Sequence, residues 1–137
     1  MITKFRFRLA TSGLVALGLV ASAAGTTITI NQPVGSSAHS LGANLPVDVK
    51  VEYPPYQTFY PNHITCELIG PSGTSIGWGG PISGSPDTFT PSPTVITSNV
   101  GTPPVVCSFT ASVFYKPKTG PTQFLGSSTV GQITVIP

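Results

Sequence analysis

Leu45-Pro-Val-Asp-Val-Lys-Val-Glu-Tyr53 is the stretch that decides the fold class. Leu45, Val47, Val49, Val51 and Tyr53 fall on one side of an extended chain, and Pro46, Asp48, Lys50 and Glu52 fall on the other. That period of two belongs to a strand with one buried face. A helix would scatter the same residues around its circumference.

The pattern repeats outward in both directions. Upstream, Thr27-Ile-Thr-Ile30 is a short strand stopped by Asn31-Gln-Pro33, and a Gly- and Ser-rich loop covers residues 34–44. Downstream, Ile64, Cys66 and Leu68 alternate with Thr65 and Glu67 before the Pro71-Ser-Gly73 turn. Short strands are expected around residues 75–78, 88–90 and 94–97. A long one carries Val105, Cys107, Phe109, Ala111, Val113 and Tyr115 on one face. After the Lys116-Pro-Lys-Thr-Gly-Pro121 turn, the last strand runs over residues 123–125 and 129–136, bulged near Gly126 or Gly131. Composition agrees, because 29 Ser or Thr, 13 Gly and 15 Pro make up half of residues 24–137. Gly and Pro oppose helix interiors, whereas Thr, Val, Ile, Tyr and Phe suit a pleated surface. The expectation is an all-β chain in which about seven antiparallel strands form a single β-sandwich.

The 137 residues leave room for one domain after a leader is set aside. Lys4, Arg6 and Arg8 precede the apolar run Leu14-Val-Ala-Leu-Gly-Leu-Val20 and the small residues Ala21-Ser-Ala-Ala24, which is the order of a secretory signal peptide. The run is about half the ~20 residues that span a bilayer, so no stable membrane insertion is expected after cleavage. The expected boundaries are a leader over residues 1–23 and a domain over 24–137, secreted to the extracellular side. Without the leader the chain keeps Lys50, Lys116 and Lys118 against Asp48, Glu52, Glu67 and Asp87. Three scattered lysines make no phosphate-binding face, which argues against a nucleic-acid partner.

Cys66 and Cys107 both fall on inward strand faces, and secretion supplies an oxidising compartment. A structural disulfide between them is expected, with a buried thiol pair as the alternative. A cysteine in one strand, Trp78 twelve residues later, and a second cysteine in a long alternating strand together resemble an immunoglobulin-like or fibronectin-type-III-like domain. The resemblance spans the whole of residues 24–137. It implies a secreted scaffold used in adhesion, recognition or extracellular structure, and such folds do not by themselves choose among these roles.

Chemistry-bearing residues are few. His39 sits in a Ser/Gly loop and His63 lies just before a strand. Asp48 and Glu52 share a solvated strand face with Lys50 between them, which suits mutual charge compensation better than a glycosidase pair. No metal-ligand spacing and no nucleophile with a positioned base is present. Neither catalytic residues nor a metal site nor a cofactor is expected, and the chain reads as non-enzymatic.

The residues that rise above this background are Tyr53, Tyr56, Phe59 and Tyr60, interrupted by Pro54, Pro55 and Pro61. Aromatic faces on a stiff loop suit stacking on sugars or on a partner's apolar patch. Trp78 joins them as a candidate binding aromatic, with core packing as its ordinary alternative. Three functions follow, in order: a structural or adhesive domain at the cell surface, in the extracellular matrix or in a surface filament; a carbohydrate-binding module; and a secreted effector or inhibitor. The partners that fit are a protein or a second copy of the chain, with a polysaccharide as the alternative. Protein secreted by a host that processes such leaders is expected to begin at Ala24, or at Gly25 one residue on. N-terminal sequencing checks this, and a retained Met1 would refute it.

Overall fold

The structure is a computed structural model that describes residues 19–22, 25–75 and 77–137. Of the expected leader only Leu19–Ser22 is among them; the rest of residues 1–23, and Ala24 at the expected cleavage point, lie outside the described residues.

The chain is all-β. Its strands are β1 (Leu19–Ser22), β2 (Thr27–Gln32), β3 (Ala38–Ser40), β4 (Asn44–Leu45), β5 (Asp48–Glu52), β6 (His63–Gly70), β7 (Gly73–Thr74), β8 (Trp78–Pro81), β9 (Asp87–Phe89), β10 (Thr94–Val95), β11 (Val105–Tyr115) and β12 (Gln123–Ile136). One 3-10 turn, Ser98–Val100, precedes β11. The largest sheet runs β1-β12-β11-β6-β7, with β3 also on β12 and β8 also on β6. A three-stranded sheet runs β2-β5-β9, and β10 pairs with β4. All pairs are antiparallel except β3 with β12.

More stretches pair than the seven or so expected, because loops contribute pieces of two or three residues such as β3, β4, β7 and β10. The alternating run at Leu45 is a case in point. Its apolar members Leu45, Val47, Val49 and Val51 are all buried as the pattern requires. The run is nevertheless split between two sheets, Leu45 pairing with Thr94 and Val49 with Ile30 and Phe89. Pro46 lies at the break, where its missing N–H removes a ladder donor.

Both larger sheets bury one face in a common core. Ile28, Val49, Val51 and Phe89 come from the three-stranded sheet, while Ile64, Cys66, Leu68, Trp78, Phe109, Val113, Val130 and Ile133 come from the large one. β11 matches its sequence expectation along its full length, with Cys107, Phe109, Ala111 and Val113 buried. β12 is interrupted at both of the places that the sequence offered as alternatives. Its register against β11 shifts between Cys107 and Phe109, opposite the Gly131 region, and again between Val113 and Phe114, opposite Gly126 and Phe124.

The expected disulfide is not formed: Cys66 and Cys107 are both free and buried. The strand register gives the reason. Cys66 lies opposite Ala111, and Cys107 lies four residues away along β11. At about 3.3 Å per residue the two are offset by roughly 13 Å. A disulfide needs Cα atoms about 4.4–6.8 Å apart. The inward direction of each cysteine was legible in the sequence, but the register between their strands was not.

Burial pushes the Cys66 thiol up to about 12 from an ordinary 9.0, and it raises Cys107 in the same direction. Both are therefore protonated, inert thiols at neutral pH. The unfolded chain ionises first as pH rises, so the stability these thiols contribute is complete below pH 9 and is lost as pH climbs toward 12. Unfolded in guanidinium without reductant, the protein is expected to titrate two thiols per chain, whereas the folded protein reacts slowly or not at all. A count of zero in denaturant would establish the bridge instead.

Candidate functional site: the aromatic loop

The loop over residues 53–61 joins β5 to β6, and its stiffness begins with Pro54, Pro55 and Pro61. Proline fixes φ and limits the residue before it, so few backbone states remain to be lost on ordering. Hydrogen bonds then fasten the loop at three points. At its start, the Tyr53 N–H donates to Ser85 Oγ at 2.8 Å. In its middle, Gln57 Nε2 donates to Thr26 Oγ1 at 3.0 Å and to the Phe59 carbonyl at 2.7 Å. Thr26 is fully buried at the entrance to β2, so this amide ties the loop to the three-stranded sheet.

Just past its end, Asn62 makes a reciprocal pair with Lys116. Asn62 Nδ2 donates to the Lys116 carbonyl at 3.0 Å, and the Lys116 N–H donates to Asn62 Oδ1 at 2.8 Å. The Asn62 backbone continues the tie, its N–H donating to the Phe114 carbonyl at 3.0 Å and its carbonyl accepting from the Ile82 N–H at 3.1 Å. One residue thus fixes the loop's exit against β11 and the end of β8. A side-chain amide that mimics a backbone partner is a recognised habit of Asn in turns, and Pro61-Asn62 before a strand is the sequence signal that could have revealed it.

The fastened loop sorts its aromatics into two groups. Tyr53 is half-buried and packs on the core. Tyr56 is 86% exposed, Tyr60 49% and Phe59 43%. Phe59 and Tyr60 rest against Tyr115 on β11, with ring centroids 5.6 and 5.2 Å apart and interplanar angles of 36° and 57°. These offset, tilted pairs are favourable arrangements for rings. Tyr115, read from sequence only as a member of the alternating strand, is therefore the platform under the loop. Nearby, Phe114 and the exposed Phe124 form an edge-on pair at 5.7 Å across β11 and β12. A pocket of about 260 Å³ opens beside the loop, lined by Pro54, Tyr56, Gln57, Thr58, Phe59 and Leu125. Gln57 Oε1 is buried without a hydrogen-bond partner.

Trp78 does not belong to this surface. It is 6% exposed, lies opposite Cys66 on β8, and packs on Phe109 at 6.0 Å. The glycines around it allow other segments to come close: a Cβ on Gly77 would sit 3.1 Å from the Cys66 carbonyl oxygen, and one on Gly80 2.9 Å from Phe89 on β9. The indole Nε1 is buried without a partner, a cost of about 1–3 kcal/mol that ring burial must outweigh.

His39 Nε2 lies 3.0 Å from Ser37 Oγ, and partial burial lowers its pKa. His63 is lowered by burial and then by the Lys116 charge. Asp48 accepts from Asn31 Nδ2 at 3.5 Å, and Lys50 pairs with Glu52 at 3.6 Å on the solvated face of β5. Asp87 accepts from the Ser83 and Thr88 N–H groups at 2.6 and 2.9 Å. Among the described residues no group of three His, Cys, Asp or Glu could hold a metal ion. No family model matches the chain, and no curated protein matches it.

Replacing Asn62 with alanine removes both side-chain bonds to Lys116 and is expected to lower stability by about 1–2 kcal/mol. Asn62→Asp keeps the acceptor for the Lys116 N–H while losing the donor, so it should fall between wild type and alanine. Denaturant unfolding measures both, and an Asn62→Ala protein as stable as wild type would refute the clamp.

Proposed function

We propose that the protein is a secreted, non-catalytic immunoglobulin-like β-sandwich whose role is adhesive or structural, at the cell surface, in the extracellular matrix or in a surface filament, through protein contacts. Two sheets sharing one core, and the parallel β3–β12 pair beside an antiparallel β6-β11-β12 ladder, support the sandwich reading. The observation that carries the functional reading is the fastened aromatic loop: Tyr56, Phe59 and Tyr60 remain exposed although the chain has a buried core available to them. Rigid aromatic area binds at low entropic cost and is enriched where partners are recognised.

Carbohydrate binding is the second reading, favoured by the pocket of about 260 Å³ that Tyr56 and Phe59 share with Gln57. An aromatic face beside a side-chain amide is the pairing that a sugar's apolar face and hydroxyls require.

The double variant Tyr56→Ala/Tyr60→Ala tests the site. Tyr56 is largely exposed, whereas Tyr60 gives up its ring contact with Tyr115, so the double variant should lose about 0.5–1.5 kcal/mol and stay folded, while retention on the producing cell's surface or matrix is lost. Retention that survives the substitutions would refute the aromatic loop as the binding site. Competition by soluble polysaccharide, against competition by surface protein, separates the two readings.

A further inference from the structure

Between β9 and β10 the chain reads Thr90-Pro-Ser-Pro-Thr94. Residues 90–93 belong to no strand, and Thr90, Ser92 and Pro93 are exposed. Thr90 and Ser92 each stand directly before a proline, which holds them extended. Pro91 and Pro93 have no N–H, so they offer a neighbouring strand no ladder donor. The segment is therefore an extended piece of surface chain that the sheets do not use. Thr94 is different, since it lies in β10 opposite Leu45 and its hydroxyl donates to the Ser92 carbonyl at 3.4 Å.

Among the described residues the Thr90 and Ser92 hydroxyls have no hydrogen-bond partner. Other hydroxyls beside proline are committed or solitary. Ser85 Oγ accepts from the Tyr53 N–H, and Thr102 precedes Pro103 with no second hydroxyl and proline beside it. Thr90 also follows directly on Phe89, the end of β9, and β9 is the last strand of its sheet, with no strand on its outer side among the described residues. One β9 donor is already turned to its own chain, the Thr88 N–H going to Asp87 Oδ1 at 2.9 Å. A bulky, hydrated group on the residues that follow would cover this edge, and covering an edge is one way natural proteins blunt it. On Thr90 or Ser92 such a group displaces no side-chain hydrogen bond of the fold.

We infer that Thr90 and Ser92 are acceptors of O-linked sugar, transferred from a glycosyl phosphate donor by an enzyme of the secretory route. The acceptor Oγ bonds to the anomeric carbon of the sugar, and the bond from that carbon to the phosphate oxygen breaks. The phosphate leaves with the electron pair, and the hydroxyl proton passes to a base of the transferase. Such an enzyme must receive its acceptor as a free stretch of backbone. A segment already extended and unpaired has little order left to lose on entering a cleft. Ser and Thr beside proline are the composition of O-glycosylated stalks, and here that composition lies on the surface of a folded domain. The inference rests on the proposed secretion and adds a modification site to it.

The test is the intact mass of the protein collected from the medium of the cells that produce it, with N-terminal sequencing of the same sample and peptide fragmentation that leaves sugars attached. The secreted chain is expected to exceed its polypeptide mass by whole sugar units, carried at Thr90, Ser92 or both. The variant Thr90→Ala/Ser92→Ala should lose those units. Both side chains are exposed and make no hydrogen bond, so the variant should still be secreted and should unfold at the same denaturant concentration as wild type stripped of sugar. A chain that begins at Ala24 or Gly25 and has the bare polypeptide mass overturns the glycosylation and leaves secretion standing. Sugar confined to other hydroxyls, or undiminished in the double variant, overturns the assignment to these two residues. A chain that retains Met1 and bears no sugar refutes secretion and modification together.

Discussion

The packing of Trp78 on Phe109 sets the terms for the rest of the molecule. Across the large sheet the inward row containing Trp78 continues through Cys66, Ala111 and Ser128, one large side chain beside three small ones. Interiors are packed to crystal-like density, so a bulky ring demands small neighbours in its own layer. Cys66 meets that demand as a compact apolar residue with an inert thiol. Phe109, fully buried in the next layer, closes the space beyond it. Shifting β11 by four residues to bring Cys107 opposite Cys66 would break this layer and every pair in the β6–β11 ladder.

That same ladder determines where the aromatic loop can sit. β6 and β11 are antiparallel, so the start of one lies beside the end of the other, and His63 pairs with Phe114. Asn62 immediately precedes β6 and Lys116 immediately follows β11, and the two bonds between the Asn62 side chain and the Lys116 backbone carry the pairing past the end of the sheet. The Tyr115 ring is thereby placed under Phe59 and Tyr60. The division of aromatics into Trp78 and Phe109 inside, and Tyr56, Phe59 and Tyr60 outside, is a consequence of register. Residue type alone does not produce it.

This explains what could and could not be read in the sequence. Period-two alternation reports the direction of a side chain, and Val49, Val51, Ile64, Leu68, Phe109 and Val113 all point where their pattern requires. Glycine marked Gly126 and Gly131 as alternative places for a bulge in β12, and the register shifts at both. Direction says nothing about which residue lies opposite, since pairing is set between distant segments by packing and loop geometry. The cysteine bridge failed on that ground. For Trp78 the sequence offered core packing and an exposed platform side by side, and its burial against Phe109 decides for the core. Asn62 and Tyr115 were missed because their importance lies in contacts across 54 and about 55 positions of sequence.

The proposed recognition role follows from how order is distributed in the loop. A binding surface gains affinity when the cost of ordering it has already been met in the free protein. Prolines restrict the backbone of residues 53–61, Gln57 holds its middle to Thr26, and Asn62 holds its exit to Lys116. None of these bonds uses the ring of Tyr56, which is 86% exposed, and Tyr60 keeps half of its surface in water while it rests on Tyr115. If the loop served only to cap the core, burying Tyr56 would stabilise the fold by an amount comparable to other core rings, about 1.5–3 kcal/mol. Instead the chain fastens the loop with polar groups and leaves its largest apolar surfaces in water, an arrangement whose physical advantage appears only when something else covers them.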